Sequence, residues 1–519
     1  MCICCRPEAK KLRHSLPIQS GRHGAYESLK VAPVRHFQTG IGAACTNSPI
    51  RRKARRGTFR AGDAKSAARG IRMKVNEHYK SIDETIRRVA KSFPEDSRIP
   101  QIFRTCISDT LQKTIKIMDD GRVFVVTGDI PAMWLRDSSC QLHLFLRFAK
   151  DEPQIREIIR GLIANQVRCI LIDPYANAFN EEANGNCWSH DKTDMKPELW
   201  ERKYEIDSLC YPVQLSYLYW KETGDASVFT EEWKKAAKTI ITTFRTEQDH
   251  ENKSAYMFER PDADMLDTLS RDGKGALVKP NIGLIFSGFR PSDDSCVYGY
   301  LIPSNMFASV ILGYISEIAS EVYGDAELCR EAFAFSKEVR DAIEKYAVVP
   351  AARCLDLDEM METAKRRMEG DVRPGDFMYV YEVDGFGKYL VMDDANVPSL
   401  LAMPYYGYCA KDDPKYLCTR KVLLSDANPY YYSGTALRGI GSPHTPRDYV
   451  WDISLAIQGL TSTDMEEKKM LLRMMAENDN GTNMMHEGIN VNDPSKYTRP
   501  WFSWANSMFC ELVLDVCDL

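Results

Sequence analysis

Six segments dense in carboxylates, arginines and aromatics recur along this 519-residue chain, each just ahead of a stretch that reads as a helix. They are TGDIPAMWLRD (127–137), ERKYEID (201–207), SGFRPSDD (287–294), MDDANVPSLL (392–401), SPHTPRDYVWD (442–452) and HEGINVND…YTRPWFSWANS (486–507). In a ring of helical hairpins, the loops that precede every second helix all emerge at one end. The recurrence therefore predicts an all-α toroid whose polar loops surround one pocket.

Periodicity predicts helices over 75–92, 102–117, 134–149, 153–171, 206–222, 228–247, 303–322, 326–346, 396–408, 413–424, 448–461, 464–478 and 503–516. SLCYPVQLSYLYW (208–220) is apolar on nearly every side, as an inner helix would be, whereas EEWKKAAKTIITTF (231–244) carries one charged face. Aromatic and β-branched residues around an Asp-Gly turn predict a short β excursion at 377–394. No apolar run reaches the length of a membrane-spanning helix.

The net charge of −5 conceals an asymmetry: residues 1–74 hold 17 Lys or Arg against three acids, leaving 51 against 70 over the rest. Residues 1–74 are expected to be a disordered or cleaved basic leader, and 75–519 the folded domain. An arginine-rich, acid-poor leader resembles an organellar transit peptide as much as a solvated tail, so no compartment follows. The acidic body argues against nucleic acid as a partner. The 16 cysteines include no two CxxC motifs that could pair and no Cys/His zinc pattern, and those in apolar helices (Cys106, Cys140, Cys169, Cys210, Cys510) read as buried free thiols.

The chain has no GxSxG elbow, no Walker A loop and no GxGxxG. What remains suits sugar chemistry. Asp129, Trp134, Arg136 and Asp137 offer an indole platform beside groups that take vicinal hydroxyls in pairs. Arg290, Asp293 and Asp294 share an irregular Gly/Pro loop, and neighbouring carboxylates raise each other's pKa. Asp393, Asp394 and Asn396 follow, at a spacing that matches no calcium loop. Then come His444, and Glu487 between His486 and the cluster Arg499, Trp501 and Trp504. Glycoside cleavage needs one carboxylic acid to protonate the leaving oxygen and one carboxylate to activate water or attack carbon. Read from the residues alone, another toroid carbohydrate enzyme (a glucosidase, a calcium-dependent mannosidase or a phosphorylase) and a non-catalytic glycan-binding module stay open.

Taken in order, TGDIPAMWLRDS, SGFRPSDD, YLIPSNMFA, DDANVPSLL and YTRPWFSWANSMF resemble glycoside hydrolase family 125, the metal-independent exo-α-1,6-mannosidases, from about residue 75 onward. The resemblance implies an (α/α)6 barrel, no cofactor or metal, a mannose-containing glycan as partner, and inverting removal of a terminal mannose. It carries the general acid onto Asp293 or Asp294, with Asp294 preferred, and the general base onto Glu487. The chain departs from the family pattern at Gly488-Ile489, where a serine and an aromatic residue are expected. Inversion predicts carboxyls about 6.5–9.5 Å apart, with the acid's pKa raised by its neighbour and by burial.

Overall fold

The computed structural model describes residues 74–96, 98–352 and 376–519, so the leader expected over 1–74 lies, but for Lys74, outside the described residues. Among the described residues, twelve helices of nine residues or more follow one another. They are α1 (Lys80–Ser92), α2 (Arg98–Asp109), α3 (Leu135–His143), α4 (Pro153–Ile172), α5 (Ile206–Thr223), α6 (Glu231–Glu247), α7 (Ile302–Glu321), α8 (Ala326–Tyr346), α9 (Pro414–Leu423), α10 (Asp452–Leu460), α11 (Met465–Glu477) and α12 (Ser503–Val516).

Local chemistry sets these boundaries. Thr230 caps α6 by accepting the Trp233 amide, Glu231 and Glu232 face the positive end of the helix dipole, and Ala236, Ala237, Ile240, Ile241 and Phe244 form its buried stripe. In α5 the burial is almost continuous from Ile206 to Ser216, and Gly224 ends the helix in the left-handed conformation at φ 73°. The two helices differ as the inner and outer walls of a ring must.

Packing orders the inner wall as α3, α5, α7, then α10 and α12, with α12 returning to α3. The sixth inner place, between α7 and α10, belongs to residues 396–408, which form buried turns instead of the expected helix. Pro398 and Pro404 each remove a backbone donor, and Gly407 turns the chain at φ 84°. Tyr406 and Tyr405 anchor these turns against Met306 of α7 and Glu511 of α12.

Other predicted boundaries also move. The segment 102–117 leaves its helix at Asp109, passes through one wide turn (Thr110–Thr114) and becomes the strand Ile115–Ile117, which pairs antiparallel with Val123–Val125. The first helix begins at Lys80 and not at 75, and 449–451 is a strand ahead of α10. The β excursion holds strands Phe377–Tyr379, Glu382–Val383 and Tyr389–Leu390. Asp384 closes its turn by accepting the amides of Phe386, Gly387 and Lys388. Contrary to the sequence reading, α7 is long and apolar enough to cross a membrane; 83% of that window is buried inside the protein, as the ring's core wall demands. Cys106, Cys140, Cys169, Cys210 and Cys510 are buried free thiols.

Short strands introduce the inner helices and hold their N-termini at one end. Met133–Trp134 leads into α3, Tyr300–Leu301 into α7 and Tyr449–Trp451 into α10. Met133–Trp134 pairs with Ala178–Phe179, which pairs in turn with Leu199–Glu201 just before α5. Tyr449–Trp451 pairs with Gly488–Asn490, so the loop bearing Glu487 is tied to the wall at α10. The polar loops of the sequence become the rim of one hollow.

Candidate active site

A cavity of about 520 Å³ opens at the end where the inner helices begin. Of the residues singled out in the sequence, Asp129, Trp134, Arg136, Asp137, Asp293, Asp294, Asn396, His444, Glu487, Arg499 and Trp504 line it.

Arg136, in the first turn of α3 and 3% exposed, anchors the floor. Its Nη1 donates to Glu205 at 2.6 Å and Asp207 at 3.1 Å, its Nη2 to Asp293 at 3.2 Å, and its Nε lies 3.6 Å from Asp137. One guanidinium thus faces four carboxyl groups. Asp137 also accepts the Thr127 hydroxyl. Burial is the largest influence on Asp137, Glu205 and Asp207, and it raises all three above the usual carboxylate range despite Arg136. The N-terminal helix dipole beside Asp137 and Asp207 favours their anions by about 1 kcal/mol, too little to reverse that cost. Asp293 behaves differently. Burial works against its anion as well, but Arg136, Lys203, a hydrogen bond from Glu205 and His444 together bring it down to about 2. The raised pKa expected of the acid is therefore found on its neighbour Glu205. Arg136 lies closer to Glu205, but Asp293 has two further cations beside it, His444 and Lys203, the latter donating to its backbone carbonyl at 2.6 Å.

Asp293 and Asp294 diverge because Asp293 adopts φ 68°, which turns the two side chains apart. The Asp293 carboxyl keeps 25% exposure. The Asp294 carboxyl is 6% exposed, with Oδ1 held at 2.9 Å by His444 Nδ1. Burial opposes the imidazolium of His444, but Asp294, Glu487 and Asp293 outweigh it and push His444 up to about 9. Glu487 faces the cavity from the loop between α11 and α12, with Arg499 Nη1 at 3.8 Å from Oε1. Arg499 spends its closer contacts on Asp129, at 2.6 and 3.0 Å. Buried polar atoms of the lining with no hydrogen-bond partner in the protein cluster here: Trp134 Nε1, Trp504 Nε1, Asp294 Oδ2 and Asn396 Oδ1. Donors and acceptors interleaved with indole faces suit a ligand that is hydroxylated at its edges and apolar on its faces.

Five residues assigned to the sugar pocket from sequence stand behind its wall: Arg290, Asp393, Asp394, His486 and Trp501. Arg290 is buried on Glu382 at 2.6 Å, which ties the Asp293 loop to the β excursion. Asp393 accepts the Leu400 and Leu401 amides, both at 2.9 Å, and so closes the turns that replace the inner helix; burial raises it to about 8. Asp394 accepts the Ser292 hydroxyl from beneath the loop. His486 stacks on Tyr497 at 3.9 Å, and Trp501 Nε1 donates to Asp109 at 2.7 Å.

Sequence reasoning passed over Glu205, Asp207 and Lys203, which lie in ERKYEID, a segment it flagged without assigning any residue a role. Also unassigned were Trp188, 55% exposed at the cavity mouth, and Arg260, which pairs with Asp191, Glu201 and Asp267 on the outer wall. No motif marks these two; they reach the cavity only through the fold. Among the described residues, no three His, Cys, Asp or Glu side chains form a metal-binding group.

Comparison with known proteins agrees with this geometry. Residues 96–514 match the metal-independent α-mannosidases, GH125. The meiotically up-regulated gene 157 protein of Schizosaccharomyces pombe is 37% identical over 462 residues, spanning 85% of this chain and 86% of that protein. Among solved structures, a metal-independent α-mannosidase of Streptococcus pneumoniae, in a non-productive complex with α-1,6-mannobiose, is 45% identical. It superposes with a TM-score of 0.79 over 86% of this chain and 100% of its own. The (α/α)6 barrel is thus shared with a solved relative. The carboxylate-lined hollow, the ring that frames it and the match over most of the chain lead to one assignment: this chain is a glycoside hydrolase of the GH125 family, the metal-independent α-mannosidases.

Proposed function

We propose that the chain removes terminal α-1,6-linked mannose from the non-reducing end of a glycan, with inversion, using Asp293 as general acid and Glu487 as general base. One observation carries this reading. The two carboxylates line a single cavity from different loops, that of Asp293 leading into α7 and that of Glu487 tied by strand pairing to the wall at α10. An inverting hydrolase needs two such carboxyls on opposite sides of the sugar, with space for a water beside the base. The linkage follows the pneumococcal relative, whose complex holds α-1,6-mannobiose.

Asp293 is preferred here over Asp294, the residue favoured from sequence, because its carboxyl is the more exposed of the two; held at about 2 at rest, it must draw the proton it donates from a neighbouring carboxyl. A proton donor must reach the glycosidic oxygen, and the Asp294 carboxyl is nearly buried and engaged by His444. In the reaction, Asp293 delivers its proton to the glycosidic oxygen as the C1–O bond breaks. Glu487 takes a proton from the water that attacks C1 from the opposite side. Arg136, Asp137 and Trp504 shape the closed inner end of the cavity, which favours a terminal sugar over an internal one.

The test is a set of linkage-defined α-mannobiosides given to wild type, Asp293→Asn and Glu487→Gln. The expected outcome is preference for the 1,6-linked member, and a loss of about 10²–10⁴-fold in kcat for each variant with mannose binding retained. Equal turnover by the Glu487→Gln variant and wild type would remove Glu487 from the mechanism.

A further inference from the structure

The floor of the cavity holds more carboxyl groups than its cations balance, and the excess converges on one pair. Arg136 splits its guanidinium between Glu205 on Nη1 and Asp293 on Nη2. Glu205 Oε2 is satisfied by Arg136 at 2.6 Å and by the Ser208 hydroxyl at 2.8 Å. Its other oxygen, Oε1, is buried without a conventional donor, and the remaining polar neighbour hydrogen-bonded to the side chain is Asp293. Two carboxyls in hydrogen-bond contact inside a protein need a proton between them, because two anions at that distance repel.

We propose that Glu205 is a positioning residue that shares one proton with Asp293 across the Arg136 guanidinium and so keeps the acid loaded. The proposal rests on the reading of Asp293 as the general acid. Moving the proton within this pair creates no charge; it shifts the negative charge from Asp293 to Glu205, onto the oxygen that Arg136 and Ser208 already hold. When Asp293 then protonates the leaving oxygen, the electron pair of the C1–O bond goes to that oxygen, and the water proton goes to Glu487. Solvent exchange afterwards returns one proton to the pair.

The groups facing Glu205 are Arg136 with Asp137 from α3, Asp207 and Ser208 from the first turn of α5, which Glu205 precedes, Lys203 from the preceding segment, Tyr256, and Asp293 with Cys296 from the opposite loop. Burial holds Tyr256 and Cys296 neutral over the working range. Asp207 accepts from Arg136, and Asp137 from the Thr127 hydroxyl. Of these carboxyls it is Glu205 that is hydrogen-bonded to Asp293, so these two share the proton, and burial opposes the Glu205 anion. Such a pair titrates as a unit, and the second proton loss governs activity at high pH.

Glu205→Gln keeps the shape and removes the proton store. Left alone between Arg136 and Lys203, Asp293 ionises at lower pH. The expected result is a fall of about 10²-fold in kcat/KM for α-1,6-mannobiose at neutral pH, with the alkaline limb of its pH profile moved down by at least about one unit. α-Mannosyl fluoride, whose leaving group departs without a proton, falls by less than about 5-fold. Glu205→Asp, which retains a titratable group, recovers part of the mannobiose activity. An equal fall on both substrates, or an unmoved alkaline limb, would overturn the proposal. Asp293→Asn separates the two layers: if that variant also loses both substrates equally, Asp293 is not the acid and the parent reading fails instead.

Discussion

Replacing Arg136 with methionine probes the electrostatic design of the site most sharply. The side chain is buried, and its guanidinium reaches Glu205, Asp207, Asp293 and Asp137 at 2.6, 3.1, 3.2 and 3.6 Å. Methionine conserves much of the volume, so the loss is chiefly charge. Without the guanidinium at least one further carboxyl must take a proton to stay buried. Relative to an unfolded carboxyl near 4, holding one proton at pH 7 costs about 4 kcal/mol, since each pH unit is worth about 1.4 kcal/mol. This agrees with the roughly 3–5 kcal/mol lost when one partner of a buried ion pair is removed.

The sign follows from linkage. In the variant the folded-state carboxyl pKa rises, so stability is fully present below the unfolded pKa and is lost as pH climbs toward the raised value. The gap between variant and wild type should therefore be about 4 kcal/mol at pH 7 and only about 1.4 kcal/mol at pH 5. Urea unfolding followed by circular dichroism at pH 5, 6 and 7 measures it. A gap that stays constant, or widens on acidification, would refute the account of four carboxyls gathered on one guanidinium.

Trp188→Ala should raise KM for α-1,6-mannobiose by about 3–10-fold through loss of an indole face at the cavity mouth, with stability changed by less than about 0.5 kcal/mol. Steady-state kinetics beside a thermal melt checks both numbers. Buried Asp393 and Asp452 are raised to about 8 and about 7, and His444 to about 9. The stability tied to the two acids is present below about pH 4 and lost up to those values, and that of His444 is present below about 6.5 and lost through about 9. Glu251 and Asp325, both lowered to about 2, act in the opposite direction only below about pH 4. Calorimetry should thus find a higher Tm at pH 5 than at pH 8.5, and the reverse order would contradict these assignments.

Periodicity was a good guide where one face decides the matter. α5 and α6 differ in sequence as inner and outer walls should, and both stand within a few residues of their expected limits. It failed at 396–408, where apolar spacing suits a helix but two prolines remove donors, and Asp393 supplies a different closure. Within the polar clusters, composition showed that a pocket existed but not which neighbour points into it. In extended chain, consecutive side chains alternate, so Glu487 faces the cavity while His486 packs on Tyr497. Asp293 and Asp294 part company through one left-handed residue, a backbone choice that no side-chain pattern announces. The partners of Arg136 were hidden for another reason: Glu205 and Asp207 lie about 70 residues downstream, and only the ring closes that distance.

The central claim is that Asp293 and Glu487 act from opposite sides of one glycosidic bond. Proton NMR of the wild-type enzyme hydrolysing α-1,6-mannobiose, recorded before mutarotation, reads it directly. The account predicts that the mannose released from the non-reducing end appears first as the β anomer and then equilibrates. Initial release of α-mannose would mean retention of configuration, and the single water placed between sugar and Glu487 would have to be abandoned.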